Sequence, residues 1–233
     1  MVMLVIPGWD IPTLPVVGSL ERFPVRRVFC MGLNYLDHKR EMGITGDVPP
    51  FLFTKAVNHV VVCEADQAAR LRYPSKTQDY QWECELTVAI GKRGAQIAAE
   101  TAHEHVYGYA VGLDMTRRDL QLWAKTNGLP WEVGKDVEES GPVGPVTPAS
   151  RMGHPASAEL WLKVNGEYKQ RSDVRQMILP PAGIIAFISE YYTLEPGDII
   201  MTGTPAGIGA AKPGDLIEAG VGDLTPIKVK IAS

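Results

Sequence analysis

Three acidic residues are the first candidates for chemistry: Glu83 and Glu85 in WECELTVAIG, and Asp114 in YGYAVGLD. Positions i and i+2 of a strand share one face. Two carboxylates on one face of a largely apolar strand are costly to hold together unless a cation neutralises them. Asp114 ends the next expected strand, where loops gather. Three carboxylates suit a hard cation, Mg²⁺ with Mn²⁺ as the alternative, and leave positions open for a substrate. The same residues also fit a solvated strand face, with Asp114 capping a helix that starts at Thr116.

His38 and Glu41 in NYLDHKREMG stand at i and i+3, neighbours on a helix. A histidine oriented by a carboxylate makes a general base near neutral pH. The pattern also fits a charged helix surface. Lys135, after Trp131 in WEVGK, lies in a glycine-containing loop, where an ammonium can neutralise an enolate or a carboxylate or simply be solvated. Lys55 in FLFTK is expected to be an ordinary solvated lysine. The run TGTPAGIG, residues 202–209, follows a strand, but its glycine spacing is not GxGxxG and no GKS/T follows, so a nucleotide site is unsupported. Its amides and a threonine hydroxyl suit a small carboxylate, if the run is more than a Gly-rich connection.

The elements that must position these residues are short. Apolar and alternating runs predict strands over residues 25–32, 51–54, 83–91 and 107–114. Helices are expected over 35–42, 98–106, 116–126 and 180–192, while 64–80 and most of 130–155 read as loop. Glu159 to Gln170 reads as a hairpin with Asn165-Gly166 in a type I′ turn. Pro196-Gly197-Asp198 and Pro213-Gly214-Asp215 each launch a further strand. The expected fold is a β-rich α+β domain over residues 25–233, preceded by an arm or short strands over 1–24.

Composition limits the function classes. The 233 residues include 23 Gly and 18 Pro, about 18% of the chain against a usual ~12%, which argues against a helical bundle. The formal net charge of −4, with no polybasic block, gives no footprint for nucleic acid or an anionic membrane. Cys30, Cys63 and Cys84 are odd in number and widely spaced, which argues against a disulfide framework or zinc knuckle and fits a reducing compartment. The opening MVMLVIPGWDIP lacks a basic start, and its apolar run stops at Pro7, so it reads as neither a signal peptide nor a membrane span. A cytoplasmic protein is expected.

Taken together and in order, GLNYLDHKREMG, WECELTVAIGK, GYAVGLDMTRRDLQ, WEVGK, VNGEYKQ and LEPGDIIMTGTPAGIG resemble the fumarylacetoacetate hydrolase family over nearly the whole chain. The stretch LPVVGSLERFPVRRVFCMGLNY is most similar to its fumarylpyruvate hydrolase and acylpyruvase members. The resemblance implies a mixed β-sheet roll assembled as a homodimer. It implies a Mg²⁺ site from Glu83, Glu85 and Asp114, and a lid carrying His38 and Glu41. It places Lys135 at the 2-oxo acid, with Arg118, Gln121 and Thr204 holding the carboxylate or supporting the site. The implied reaction is hydrolysis of an acylpyruvate to pyruvate, in aromatic-compound catabolism. The alternatives are oxaloacetate decarboxylation or tautomerisation, isomerisation of an unsaturated dioic acid, and non-catalytic dicarboxylate binding. The chain departs from the family pattern at Leu33, Ala56, Gln81-Trp82 and Asp136-Val137, positions expected to shape the pocket.

Overall fold

The computed structural model describes residues 5–232, so residues 1–4 of the expected arm, and Ser233, lie outside the described residues. The largest sheet is mixed. Its order is β4 (Leu52–Lys55), β3 (Arg27–Met31), β15 (Asp198–Met201), β8 (Cys84–Ile90), β9 (Val106–Leu113), β11 (Gly141–Val143) and β5 (Val60–Val62), with β12 (Thr147–Pro148) added to β9. A second sheet runs β14 (Glu167–Asp173), β13 (Glu159–Val164), β17 (Leu216–Val221), β18 (Ile227–Ala232) and β6 (Ala68–Arg72). A three-stranded sheet joins β10 (Thr116–Arg117), β7 (Tyr80–Trp82) and β16 (Gly209–Ala210), and β1 (Thr13–Pro15) pairs with β2 (Arg22–Pro24). The helices are short: α1 (Leu36–Glu41), α2 (Arg118–Thr126), α3 (Glu132–Lys135), α4 (Ala149–Met152) and α5 (Pro181–Tyr191). This is the expected β-rich mixed roll. No helix among the described residues is long and apolar enough to cross a membrane.

Strand alternation divides the interior. On β8, Cys84, Leu86, Val88 and Ile90 face the larger core, which the second sheet and α5 complete. Ala89 faces a smaller core with Val28, Cys30, Ala110 and Met201. On β9, Tyr109, Val111 and Leu113 take the first side and Ala110 the second. The central sheet is therefore buried on both faces, which is why these strands read as nearly continuous apolar runs. Leu14, Val16 and Phe23, from the β1–β2 hairpin, seal the smaller core.

Local chemistry sets the turns. Asn165 and Gly166 both take positive φ, 51° and 84°, as a type I′ hairpin requires. Each PGD turn uses its aspartate as a clasp. Asp198 Oδ2 accepts from Glu195 N at 2.8 Å, and Asp215 Oδ2 accepts from Lys212 N at 2.8 Å. Gly197, at φ 96°, packs against the Pro24 carbonyl, so the turn tolerates no side chain there. Buried Asp198 is neutralised by a two-pronged Arg27, at 2.9 and 2.5 Å.

Several expectations need correcting. Residues 64–80 are not all loop, because Ala68–Arg72 adds a parallel edge strand to β18. Residues 99–105 form 3-10 turns rather than an α-helix. Thr116 and Arg117 are extended before α2 begins. The stretch 130–155 contains α3, β11, β12 and α4. Dense Gly and Pro conceal such two- to four-residue elements from periodicity arguments.

The hairpin's packing gives a direct test. Leu14→Ala leaves a cavity under the β1–β2 hairpin and should cost about 2–5 kcal/mol, read as a lower urea midpoint with an unchanged slope.

Candidate active site

The two central strands bring the acidic residues together. Glu85 pairs with Gly112 across β8 and β9. Asp114 lies two residues further along and so returns to the same face. Glu83 sits at the junction where the chain leaves β7 in one sheet and enters β8 in another. Its carbonyl accepts from Asp114 N at 2.9 Å, which locks the two carboxylate-bearing segments together. Glu83, Glu85 and Asp114 are all buried, and one ligand oxygen from each lies within 4.8 Å of the others.

Three buried cations surround them. Lys135 Nζ donates to Glu83 Oε2 at 2.8 Å and to Asp114 Oδ2 at 2.7 Å. Arg118 pairs with Glu83 Oε1, and also donates to Gln81 at 2.9 Å and to Gln121 at 2.5 Å. Lys55 is not the solvated lysine expected. Its Nζ is buried, donates to Ser140 Oγ at 2.8 Å and to the Lys135 carbonyl, and stands 2.9 Å from Asp114 Oδ1. Lys55 shares strand parity with cleft-lining Phe53, and that alternation was the available signal. Asp136 fastens α3 to the Lys55 segment by accepting from Ala56 N at 2.8 Å and by meeting His59 Nδ1 at 2.6 Å.

The charges do not affect the carboxyls equally. Burial alone would raise Glu83, but Lys135, Arg118 and His38 overcome it and hold that carboxyl below the usual range. Burial, with the like charges of Asp114 and Glu83, pushes Glu85 well above the usual range. Asp114 Oδ1, despite its ionic neighbour, receives no directional hydrogen bond. A crowded trio of hard oxygen donors, one of them an unfilled acceptor and another disfavoured as an anion, fits a divalent cation of the Mg²⁺ or Mn²⁺ type.

The run 202–209 follows β15, which pairs with β8, and so passes beside the carboxylates. Two of its amides do bind carboxylates, but the protein's own. Gly203 N donates to Glu85 Oε2 at 2.7 Å and Gly207 N to Glu41 Oε1 at 2.9 Å. Thr204 Oγ1 donates to the Cys84 carbonyl at 2.9 Å and accepts from Gln170 at 2.8 Å, while Gln170 also accepts from Cys84 N at 2.9 Å. Thr204 and Gln170 thus brace the backbone between the two glutamates. Gln170 was not foreseen, because its partners lie 86 and 34 residues away.

His38 lies on α1 and is buried, with Nδ1 3.2 Å from Glu41 Oε2. Burial lowers its pKa below the ordinary histidine value, outweighing Glu83 and Glu41. His38, Glu83, Arg118, Gln121, Lys135 and Thr204 all line one cleft of about 210 Å³. That volume is below the ~300 Å³ lower limit of typical drug-sized pockets and suits a small acid. Phe51, Phe53 and Trp131 form an aromatic wall, with Phe51 and Trp131 edge to face at 5.3 Å. Leu33 lines the cleft with φ at 55°, a left-handed conformation that costs a non-glycine residue about 1 kcal/mol or more.

A mixed-sheet roll whose small-acid cleft ends on buried carboxylates is that of a metal-dependent enzyme. More particularly, the chain belongs to the fumarylacetoacetate hydrolase family, whose model, Fumarylacetoacetate (FAA) hydrolase C-terminal, matches residues 27–232. A fumarylpyruvate hydrolase of Ralstonia sp is 44% identical over 78% of this chain and 92% of its own length. The mitochondrial oxaloacetate tautomerase of Bos taurus is 39% identical over 88% and 91%. The crystal structure of fumarylpyruvate hydrolase from Pseudomonas aeruginosa in complex with Mn²⁺ and pyruvate superposes with a TM-score of 0.97, at 44% identity and 99% coverage of both chains.

Removing one buried cation tests the cluster. Lys55→Met leaves Asp114 with one compensating charge fewer and should destabilise the metal-free protein by about 3–5 kcal/mol, measured by equilibrium denaturation in EDTA.

Proposed function

We propose that the chain hydrolyses the C–C bond of an acylpyruvate, with fumarylpyruvate as the reference substrate, and releases pyruvate. The observation that carries the reading is one cleft lined by His38, whose ring meets Glu41, and by Glu83, which belongs to a buried acidic trio with Glu85 and Asp114. Relatives named fumarylpyruvate hydrolase, one of them crystallised with Mn²⁺ and pyruvate, support it. Mg²⁺, with Mn²⁺ as the alternative, is held by Glu83, Glu85 and Asp114. When bound, the cation supplies Lewis-acid charge to the oxygens of a 2-oxo acid.

The chain's own groups account for the rest. Glu41 fixes the His38 ring through Nδ1, leaving Nε2 to take a proton from water. The hydroxide adds to the distal carbonyl, the C–C bond breaks, and the electron pair leaves as the enolate of pyruvate. Lys135 and Arg118 supply fixed positive charge where that enolate develops, and the aromatic wall keeps bulk water from weakening it. Gln121 steadies Arg118, and Thr204 steadies the backbone between the glutamates. Three buried carboxylates face three buried cations, so a divalent ion adds two positive charges. That surplus matches a substrate carboxylate plus a developing enolate.

Relatives named oxaloacetate tautomerase and oxaloacetate decarboxylase favour a second reading, enol chemistry of oxaloacetate at the same site. The His38–Glu41 pair suits hydrolysis as the base that activates water, and the same base would move the proton in tautomerisation. Aromatic-compound catabolism, a cytoplasmic setting and a homodimer belong to the same proposal. Large apolar side chains left exposed, among them Trp123 and Val133, support the dimer. Light scattering should then give twice the 25.5 kDa chain mass, and a monomer would remove that part.

Pyruvate release from fumarylpyruvate should require Mg²⁺ or Mn²⁺ and stop with EDTA, whereas turnover that survives chelation refutes the metal mechanism. His38→Ala should lower kcat by about 10²–10⁴ while metal still raises the melting temperature. The base works neutral, so the rate falls as pH drops through its pKa. Because burial lowers that pKa, the acid limb of the kcat profile should lie below the ordinary ~6.5. Glu41→Gln removes a group that raises it and should move the limb further down.

A further inference from the structure

The cationic side chains lining the cleft are not equivalent. Arg118 is committed to Glu83 and two glutamine oxygens, and Lys135 to Glu83 and Asp114. Lys125 also lines the cleft, yet it is exposed, and among the described residues its Nζ has no ion pair or hydrogen bond.

Its place on α2 gives that free charge a direction. Arg118, Gln121 and Lys125 stand at i, i+3 and i+7, one stripe of the helix. Arg118 and Gln121 are buried, whereas Lys125, about 10 Å further along the axis, is exposed. The remaining lining of the cleft is mostly apolar: Leu122 on the same helix, Met42, Ile44 and Val48 after α1, and Phe51 and Trp131, while Phe53 lies against Lys135 at the cluster. A ligand anchored at the carboxylate cluster therefore extends its far end through apolar walls towards one unpaired ammonium. We propose that Lys125 binds a carboxylate at the end of the substrate's acyl arm, so that the enzyme selects acylpyruvates that are dicarboxylates. A short arm such as acetyl ends among the apolar side chains and leaves the ammonium unpaired.

The inference rests on the acylpyruvate reading, so its test uses ligands that are not hydrolysed. Calorimetry on the full, Mg²⁺-loaded chain compares 2-oxoheptanedioate with 2-oxoheptanoate, acids of equal length that differ in the terminal carboxylate. The wild type should bind the diacid roughly five- to tenfold more tightly, as expected for one partly exposed charge-assisted contact. Lys125→Met should weaken the diacid to the affinity of the monoacid, and Lys125→Arg should retain most of the preference. No preference in the wild type, or an undiminished preference in Lys125→Met, overturns the assignment. Failure of the wild type to release pyruvate from fumarylpyruvate would instead overturn the hydrolytic reading, and the calorimetric ratio would still judge Lys125.

Discussion

The structure depends on holding three carboxylates and three cations together away from water. Any of these charges alone would be expensive to bury. The sheets solve this by spreading the charges over separate elements. Glu85 comes from a strand and Glu83 from a junction between sheets. Asp114 comes from a strand end, Lys55 from the β4 edge strand, Arg118 from the first turn of α2, and Lys135 from the end of α3. No single element can shift without unpairing a charge held by another. The same arrangement leaves Asp114 Oδ1 without a directional partner and Glu85 averse to ionisation, so the cluster is balanced yet unfinished.

The run 202–209 ties this cluster to the cleft's other wall. Gly203 holds Glu85, a carboxylate of the trio, and Gly207 holds Glu41, the partner of His38. The positioning of α1 and the orientation of Glu85 are thus set by two amides four residues apart. Asn34 reinforces the link, donating to the Thr202 carbonyl at 2.8 Å and binding Leu179 through both its amide and its carbonyl. A loop whose composition suggested a binding site for a small acid instead organises the protein's own acids around that site.

What the sequence made legible was what depends on local period. Alternation put Glu85 and Asp114 on one face, helical spacing put His38 beside Glu41, and Asn165-Gly166 specified its turn. What it hid depends on distant partners. Lys55 reads like any lysine until β4 is placed against Ser140 and Asp114. Gln170 is unremarkable until the β13–β14 hairpin packs over Cys84. Strand β6 alternates its arginines with a small inward face, because as an edge it turns only Leu71 and the smaller Ala69 towards the core. The resemblance of six ordered segments conveyed what no single pattern could, because order along the chain encodes contacts that spacing does not.

The sheet order has a further consequence for how the chain reaches this state. Strand β3 takes β15 as a parallel neighbour, with Arg27 and Asp198 171 positions apart, and β6 waits for β18. β3 therefore leaves the ribosome without one of its two partners, and β6 without its single partner among the described residues, apolar side chains uncovered, until the later strands have been made. Such long-range pairing slows folding and lengthens exposure to aggregation. Thr204, which follows β15, also lines the cleft, so the cleft is completed only once that part of the chain has been made. The strands left uncovered before that point present the kind of apolar surface that chaperones cover during synthesis.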